Sequence, residues 1–222
     1  MAGHKTPAKT IPSSRFEKQA ERLGARRIAG IDEAGRGPLA GPVVAAAVVL
    51  RCPDCLPHLN DSKLLPVDAR LKLFAEILEN ASAIGVGIVP PETIDQINIL
   101  QATRLAMSRA VMEISPLPDY LLVDGTISLD LSIPQQAIIK GDRLSFSVAA
   151  AGILAKVTRD RIMVELHEQF PQYGFAQHKG YGTQAHKEAI ARHGPSPVHR
   201  MCFRGVKKPD LPLFCAELNE GD

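Results

Sequence analysis

Two adjacent carboxylates end an apolar run near the start of the chain and lead directly into a glycine-rich turn. The segment at 28–44 reads IAGIDEAGRGPLAGPVV, and its carboxylates are Asp32 and Glu33. Two negative charges at the end of a buried strand repel each other and lose solvation, which is costly unless a cation binds them. The segment therefore predicts a strand that ends at a divalent-cation site.

The turn that follows has the composition of an anion site. Gly35 and Gly37 flank Arg36, so backbone N–H groups can approach an anion closely while the guanidinium adds charge-assisted hydrogen bonds. We expect a phosphate to bind at this turn, next to the cation site.

Charge is segregated along the 222 residues, although the formal net charge is only +2. Residues 1–27 carry +5 and residues 178–208 carry +6, whereas the segment 28–177 carries −5. An acidic centre between basic flanks suits a metal-dependent enzyme that acts on a polyanion. Ordinary solvated surface charge explains the same distribution and stays an alternative.

Composition and cysteine usage indicate one globular cytoplasmic domain. The chain has 45% hydrophobic and 23% charged residues, and no apolar run approaches the ~20 residues of a transmembrane helix. Its cysteines form one C-x2-C pair and two scattered residues, with no secretory signal peptide ahead of them: Cys52, Cys55, Cys202 and Cys215. We interpret them as reduced thiols, with a zinc site at the pair as a minor alternative.

Short apolar runs alternate with longer segments of helical periodicity. Short runs bounded by turn residues predict strands at 28–32, 43–50, 83–90, 119–125 and 135–142. Apolar spacing predicts helices at 14–23, 67–80, 97–114, 144–170 and 183–193. We expect at least the first dozen residues to be disordered, because they mix Lys, Pro, Ser and Thr.

Three of the predicted strands deliver carboxylates at their ends, namely Asp32 with Glu33, Asp124 and Asp142. If these strands are neighbours in one sheet, the four carboxylates converge. Sites whose ligand atoms are all oxygen suit Mg²⁺ or Mn²⁺ better than zinc. Two such ions can support phosphodiester cleavage. Any single Asp-Gly pair is also explained as an ordinary turn.

Six blocks of the sequence resemble bacterial ribonuclease HII, the type 2 ribonuclease H. They occur in the order of that family and span about 28–206: IDEAGRGPLAGPVV at 31–44, NDSKLL at 60–65, VDG at 123–125, KGD at 140–142, ILAKVTRDR at 153–161 and FAQHKGYGT at 175–183. The resemblance implies an α/β, ribonuclease H-like fold, with a mixed five-stranded sheet flanked by helices and a small helical C-terminal part. It also implies a basic N-terminal extension at 1–27, partly disordered, and a catalytic domain at 28–222.

The resemblance implies roles for individual residues. Four acids match the residues that bind two catalytic ions, Mn²⁺ or Mg²⁺, in this family: Asp32, Glu33, Asp124 and Asp142. Gly35, Arg36 and Gly37 match the loop that contacts the ribonucleotide and the phosphate after it. Tyr181 matches the tyrosine that packs against the sugar at an RNA–DNA junction and helps to sense the 2′-hydroxyl, which distinguishes RNA from DNA.

Basic residues near these blocks are candidate phosphate contacts, namely Lys63, Lys156 and Arg159. Each is explained equally well as a solvated charge or as an ion-pair partner. For Asp160 we expect an ion pair rather than metal binding, because it lies within a predicted helix beside two arginines. The histidines of the basic tail fit a nucleic-acid groove or a mobile surface, and none is predicted to be a catalytic base.

The implied activity is that of a metal-dependent endonuclease. It would hydrolyse the RNA strand of RNA/DNA hybrids and cut 5′ of single ribonucleotides in duplex DNA, leaving a 3′-hydroxyl and a 5′-phosphate. In the cell it would serve ribonucleotide excision repair. We expect a cytoplasmic monomer whose partners are these duplexes, with a replication clamp as a further candidate.

Two other classes of function stay open. One is a nucleic-acid binding protein of the same fold with weakened catalysis, which the intact carboxylates disfavour. The other is a related metal nuclease, such as a type 3 ribonuclease H or a junction resolvase. The 27-residue extension is too small for the extra substrate-binding domain of type 3 enzymes.

One position departs from the pattern of the resembled family. A serine usually precedes the isoleucine of ILAKV, whereas this chain has Gly152. Because glycine within a helix costs ~1 kcal/mol relative to alanine, we expect Gly152 to loosen this part of the helix.

Overall fold

The computed structural model describes residues 11–59 and 66–206. Within them, five strands form one sheet: β1 (Ile28–Ala34), β2 (Val43–Leu50), β3 (Ala81–Val89), β4 (Tyr120–Asp124) and β5 (Gln135–Ile138). The same residues form six α-helices: α1 (Arg15–Arg22), α2 (Val67–Asn80), α3 (Pro91–Met112), α4 (Phe146–Gln169), α5 (Phe175–His178) and α6 (Gln184–His193). The predicted fold class, a mixed five-stranded sheet flanked by helices, is confirmed.

The strand order is β3-β2-β1-β4-β5, with β1 at the centre. The three strands β1, β2 and β3 pair antiparallel, whereas β4 runs parallel to both β1 and β5. In the register between β1 and β4, Ile31 lies opposite Val123. Asp32 and Asp124 each follow that pair, so their side chains emerge at the same edge of the sheet.

Both faces of the sheet are covered by helices, which explains the continuous apolar sequence of β2. Ala45 and Ala47 pack in the cluster that contains α3, whereas Ala46 and Val48 pack in the cluster that contains α4. A strand buried on both faces needs apolar residues at every position rather than at alternate ones.

Helix α4 lies very close to the central strand. An ideal Cβ on Gly30 would lie only 2.1 Å from the backbone carbon of Ser147, so no larger residue fits there. This close approach brings the first half of α4 against the end of β1, where Asp32 lies.

Two boundaries of predicted elements were wrong, the start of one helix and the end of one strand. Helix α3 begins at Pro91 rather than at 97, and it contains a kink at Asn98, whose φ is 66° and whose side chain accepts hydrogen bonds from the following turn. Strand β5 ends at Ile138 rather than at 142, because Lys140 adopts a left-handed conformation with φ of 60°. Asp142 therefore lies in a 3₁₀ turn, Gly141–Arg143.

The cysteine interpretation was wrong for the C-x2-C pair. Cys52 and Cys55 form a disulfide across the 3₁₀ turn Pro53–Cys55, which holds their Cα atoms 5.3 Å apart. The pair is therefore neither reduced nor a zinc site in this structure. Cys202 is a free, exposed thiol, and Cys215 lies outside the described residues.

The N-terminal segment is described from residue 11 onward. In α1, Glu17 is buried and accepts hydrogen bonds from Ser145 Oγ at 2.6 Å and from Ser147 N–H at 2.9 Å, at the start of α4. The division of the chain at residue 28 stays a prediction, and the predicted disorder falls largely on residues 1–10, outside the described part. In the described ranges no helix combines the length and apolarity needed to cross a membrane.

Candidate active site

Three carboxylates meet at the edge where β1 and β4 end. Oxygen atoms of Asp32, Glu33 and Asp124 lie within 4.8 Å of one another. Asp32 is the most buried of them, with 6% of its surface exposed. Burial, followed by the charges of Glu33, Asp124 and Asp142, raises the pKa of Asp32 well above its usual value. The carboxylates therefore form a strongly electronegative cluster that a bound cation would stabilise.

Backbone amides fix the orientation of the cluster. Glu33 N–H donates to Asp32 Oδ1 at 2.7 Å, and Gly141 N–H donates to Asp124 Oδ1 at 2.6 Å. The N–H of Asp142 lies 3.4 Å from the same Asp124 oxygen. The 3₁₀ turn therefore folds over Asp124 and places the buried Asp142 beside the three-carboxylate group.

The chemistry of these ligands fits a hard divalent cation. Every candidate ligand atom of the group is a carboxylate oxygen, and Mg²⁺ and Mn²⁺ prefer such oxygens. Asp32, Glu33 and Asp124, with Asp142 next to them, are the residues that could hold such ions.

Gly152 makes room for the Asp32 carboxylate. An ideal Cβ at position 152 would lie 2.3 Å from Asp32 Oδ2, closer than real side chains approach. The expectation that this glycine only loosens the helix was therefore incomplete, because the absent side chain leaves the space that Asp32 occupies.

We expect Gly152→Ala to lower the affinity for Mn²⁺ about tenfold, which corresponds to ~1.4 kcal/mol, because the new methyl group displaces Asp32. The same substitution favours the helix by ~1 kcal/mol. Because moving the buried Asp32 aside offsets this gain, stability should change by less than ~1 kcal/mol while metal affinity falls. Titration calorimetry with Mn²⁺ and denaturant unfolding in EDTA measure the two quantities, and an unchanged Mn²⁺ affinity would contradict this placement of Asp32.

A cleft of about 330 Å³ opens beside the carboxylates. It is lined by Glu33, Ala34, Gly35, Arg36, Gly37, Lys156 and Tyr181. The predicted substrate-binding residues thus line one cleft, with two exceptions: Arg159 is buried behind it, and Lys63 lies outside the described residues. Glu33 belongs both to this cleft and to the carboxylate cluster, so the two are continuous.

The loop Gly35–Gly37, called the GRG loop below, packs tightly on its inner side. Gly35 has a φ of +95°, and a Cβ there would lie 2.1 Å from Arg159 Nε. On the outer side, the Arg36 side chain is half exposed, with Nη1 3.4 Å from Glu33 Oε1. Glycine at 35 is therefore required both by its backbone conformation and by the buried arginine behind it.

Tyr181 faces the GRG loop across the cleft. Its side chain is 43% exposed, and its Cε1 lies 3.9 Å from where a Cβ of Gly37 would be. Lys156 Nζ lies 5.9 Å from the centre of the Tyr181 ring. An aromatic face, a cation and a glycine loop therefore share one opening.

Lys156 is held in an ion-pair network. Its Nζ lies 2.7 Å from Asp160 Oδ1, and Arg70 of α2 lies 3.6 Å from the other oxygen of Asp160. Burial lowers the pKa of Lys156. The ion pair expected for Asp160 is present, and it holds the lysine at the edge of the cleft that Lys156 lines.

Arg159 is buried, so its guanidinium is not exposed to a substrate phosphate, as the predicted phosphate contact would require. Its side chain is fully buried and donates to three backbone carbonyls, those of Pro42 at 2.9 Å, Lys179 at 3.0 Å and Ala40 at 3.0 Å. It therefore ties the loop between β1 and β2 to the segment that carries Tyr181.

Arg200 is a residue that the sequence analysis missed. It is fully buried, and its guanidinium donates to the carbonyls of Gly41 at 3.0 Å, Arg36 at 2.9 Å and Gly35 at 2.6 Å. Burial lowers the pKa of Arg200 to about 9 and that of Arg159 to about 10, so both stay charged at neutral pH. Two buried cations behind the GRG loop favour an anion on its outer side.

The histidines of the basic tail are not all surface groups. His186 and His199 are buried, and their rings contact the ring of Phe175. They belong to the small C-terminal core behind Tyr181, so the groove and mobile-surface interpretations were wrong for these two residues.

Comparisons with known proteins agree with this architecture. The family model described as Ribonuclease HII matches residues 29–206. A ribonuclease HII from Syntrophotalea carbinolica is 53% identical over 202 residues, which cover 91% of this chain and 97% of that protein.

Solved structures show the same fold. The crystal structure of ribonuclease H2 from Pyrococcus horikoshii is similar with a TM-score of 0.70 and 26% identity, over 82% of this chain and 95% of that one. The ribonuclease HII in a complex with PCNA from Archaeoglobus fulgidus is similar with a TM-score of 0.68 and 28% identity. The similarity covers 83% of this chain and 98% of that one. Together with the family match, these similarities show that the chain belongs to the ribonuclease HII family.

Proposed function

We propose that this ribonuclease H, which acts on RNA/DNA hybrids, also cuts on the 5′ side of a single ribonucleotide within duplex DNA. The observation that carries the proposal is the continuity of the site: Glu33 belongs both to the carboxylate cluster and to the cleft that Tyr181 lines. A ribonucleotide seated between Tyr181 and the GRG loop would present its 5′ phosphate to the carboxylates.

We infer that two divalent ions, Mg²⁺ or Mn²⁺, bind at Asp32, Glu33, Asp124 and Asp142. The support is the all-oxygen cluster and the raised pKa of the buried Asp32. When bound, such ions activate water and stabilise the leaving oxygen in phosphodiester hydrolysis. Cleavage would leave a 3′-hydroxyl and a 5′-phosphate.

The residues of the chain bind and orient the substrate. The backbone N–H groups of the GRG loop and the half-exposed Arg36 would hold the phosphate, with Arg200 and Arg159 adding positive potential from behind. Lys156, which lines the cleft and pairs with Asp160, would neutralise a neighbouring phosphate. Lys63 remains a predicted contact of the same kind.

Tyr181 would recognise the sugar by packing against it. A half-exposed aromatic ring opposite a glycine loop can pack on a ribose, and the 2′-hydroxyl is the group that separates RNA from DNA at one position. Selectivity would then depend on whether this narrow opening accepts a ribonucleotide with its phosphate at the GRG loop.

The deciding experiment uses a DNA duplex that contains one ribonucleotide, with Mg²⁺, Mn²⁺ or EDTA, and maps the cut at nucleotide resolution. We expect one cut 5′ of the ribonucleotide with either metal and none in EDTA. The matched control is the same duplex with a deoxynucleotide at that position. Cleavage of this control, or no cleavage of the ribonucleotide duplex with either metal, would contradict the proposal.

We expect Tyr181→Ala to lower kcat/KM on the single-ribonucleotide duplex about a hundredfold, ~2.7 kcal/mol, and to affect a continuous RNA/DNA hybrid much less. A single junction offers one sugar to recognise, whereas a continuous hybrid offers many registers. Steady-state kinetics on both substrates measure the difference. An equal loss on both would argue against sugar recognition by this residue.

Several further assignments stay predictions. They are a role in ribonucleotide excision repair, a monomeric state and a cytoplasmic location. A sliding clamp is a candidate partner, and support comes from the archaeal relative seen in complex with PCNA. Co-purification of this protein with the clamp of its own cell would test that partner.

A further inference from the structure

A hydrogen-bonded chain of two buried histidines ends at the backbone of Tyr181. His186 Nε2 and His199 Nε2 lie 3.0 Å apart, and His186 Nδ1 lies 2.9 Å from the Tyr181 carbonyl oxygen. Both side chains are almost completely buried, with 0% and 1% exposed. We call this pair the histidine relay.

One backbone amide fixes the direction of every bond in the relay. Ser196 N–H donates to His199 Nδ1 at 2.9 Å, and Ser196 Oγ lies 2.8 Å from the same nitrogen. Because the backbone amide can only donate, Nδ1 accepts, and the proton of a neutral His199 lies on Nε2. His199 Nε2–H then donates to His186 Nε2, which leaves the proton of His186 on Nδ1. His186 Nδ1–H therefore donates to the Tyr181 carbonyl, because a carbonyl oxygen can only accept.

The relay has this arrangement only when both rings are neutral. A second proton on His186 would place two N–H donors against each other across the 3.0 Å contact, and a second proton on His199 would place an N–H donor against Ser196 N–H, 2.9 Å away. Burial and the neighbouring histidine lower the pKa of His199 to about 4, and burial also lowers the pKa of His186. The titratable groups around the pair are histidines, a lysine and a tyrosine. His178 stacks on His186 with ring centroids 4.4 Å apart, Tyr173 packs edge-on against His199 at 4.8 Å, and the charges of Lys179 and His167 act on His178.

The relay acts on a short turn that carries the cleft tyrosine. Tyr181 N–H donates to the carbonyl of His178 at 3.0 Å, and the Tyr181 carbonyl accepts from Thr183 N–H at 2.8 Å as well as from His186. Thr183 in turn caps α6, the helix that holds His186. The buried relay thus fixes the main chain of Tyr181 on the side opposite the cleft.

We propose that His186 and His199 are positioning residues for substrate discrimination: their neutral, directional relay holds the Tyr181 main chain so that the ring meets the ribose. The proposal rests on the proposed role of Tyr181 in sugar recognition. Neither histidine touches the reacting atoms, so their effect passes through Tyr181.

A double-mutant cycle separates positioning from general support of the fold. We expect His186→Leu to lower kcat/KM on the single-ribonucleotide duplex about tenfold. In a Tyr181→Ala background the same substitution should change kcat/KM by no more than about twofold, because contacting residues that act through one another are not additive. Equal effects of His186→Leu in both backgrounds would overturn the proposal.

Two further variants serve as controls for the double-mutant cycle. His186→Asn can still donate to the Tyr181 carbonyl, because the asparagine amide nitrogen replaces Nδ1, and it should recover most of the activity lost in His186→Leu. His193→Asn changes an exposed histidine of the same helix. It should leave kcat/KM unchanged on both the single-ribonucleotide duplex and the continuous hybrid. Failure of His186→Asn to exceed His186→Leu would count against the relay bond.

A measurement on the wild-type protein tests the relay without any substitution. Long-range ¹H–¹⁵N correlation NMR near neutral pH reports which ring nitrogen carries the proton. We expect Nδ1–H for His186 and Nε2–H for His199, and the opposite tautomers or a doubly protonated ring would overturn the proposal. Because this readout needs no substrate, it is independent of whether the wild-type enzyme cuts the single-ribonucleotide duplex.

Discussion

Asp32→Asn should lower kcat for RNA/DNA hybrid cleavage at least a thousandfold, equivalent to ~4 kcal/mol. Asp32 is the most buried carboxylate of the cluster, and its oxygens lie within 4.8 Å of those of Glu33 and Asp124. Asparagine keeps the shape of the side chain but removes the charge that would hold a divalent ion. Single-turnover kinetics with saturating enzyme separate this loss from any change in substrate affinity.

Stability should change in the opposite direction when metal is absent. Because Asp32 is buried among the charges of Glu33, Asp124 and Asp142, its replacement by a neutral group should raise the free energy of unfolding in EDTA by ~1–2 kcal/mol. Mn²⁺ should stabilise the wild type by mass action and the variant much less. Denaturant unfolding with and without Mn²⁺ gives both values.

The matched control is Asp130→Asn, which neutralises an exposed aspartate outside the cluster. It should change neither kcat nor the response of stability to Mn²⁺. If Asp32→Asn retained activity, or if Mn²⁺ stabilised it as much as the wild type, Asp32 would not be a metal ligand.

Arg200→Leu should destabilise the fold by ~3–5 kcal/mol, because it leaves three backbone carbonyls without their donor inside the protein. Two of these carbonyls belong to Gly35 and Arg36 of the GRG loop. Arg200→Lys keeps the charge, but one ammonium group cannot reproduce the planar set of donors. We therefore expect the lysine variant to fold with intermediate stability and a raised KM for the duplex.

Urea unfolding and KM measurements test both arginine variants. Arg204→Leu is the matched control, since Arg204 is exposed and lies four residues further along the chain. It should leave stability within ~0.5 kcal/mol of the wild type. An Arg200→Leu protein as stable as the control would show that the carbonyl contacts are not needed to hold the loop.

Local sequence patterns were enough to predict most of the sheet. The apolar runs that end at Asp32 and Asp124 are short and are flanked by turn residues, a pattern that predicts strands. Their convergence required only that the strands be parallel neighbours, which the register of Ile31 with Val123 provides. The apolar run that continues to Ile139 predicts a strand as far as Asp142, but the left-handed Lys140 ends the pairing earlier.

The support behind the cleft could not be predicted from local patterns. Arg200 and His199 lie in a loop-rich tail, where charged and polar residues normally face water. The burial of Arg200 depends on partners far away in the chain, the carbonyls of Gly35 and Gly41 more than a hundred residues earlier, and that of His199 depends on packing against His186 and Phe175. Such long-range hydrogen bonds cannot be predicted from composition or from periodicity.

Anomalous scattering from crystals grown with Mn²⁺ is a direct test of metal binding at the carboxylate cluster, because it locates the ion without relying on activity. We expect a manganese peak within bonding distance of the carboxylate oxygens of Asp32, Glu33 and Asp124. A cluster without a peak at saturating Mn²⁺, or manganese bound only at the buried histidines, would contradict this expectation.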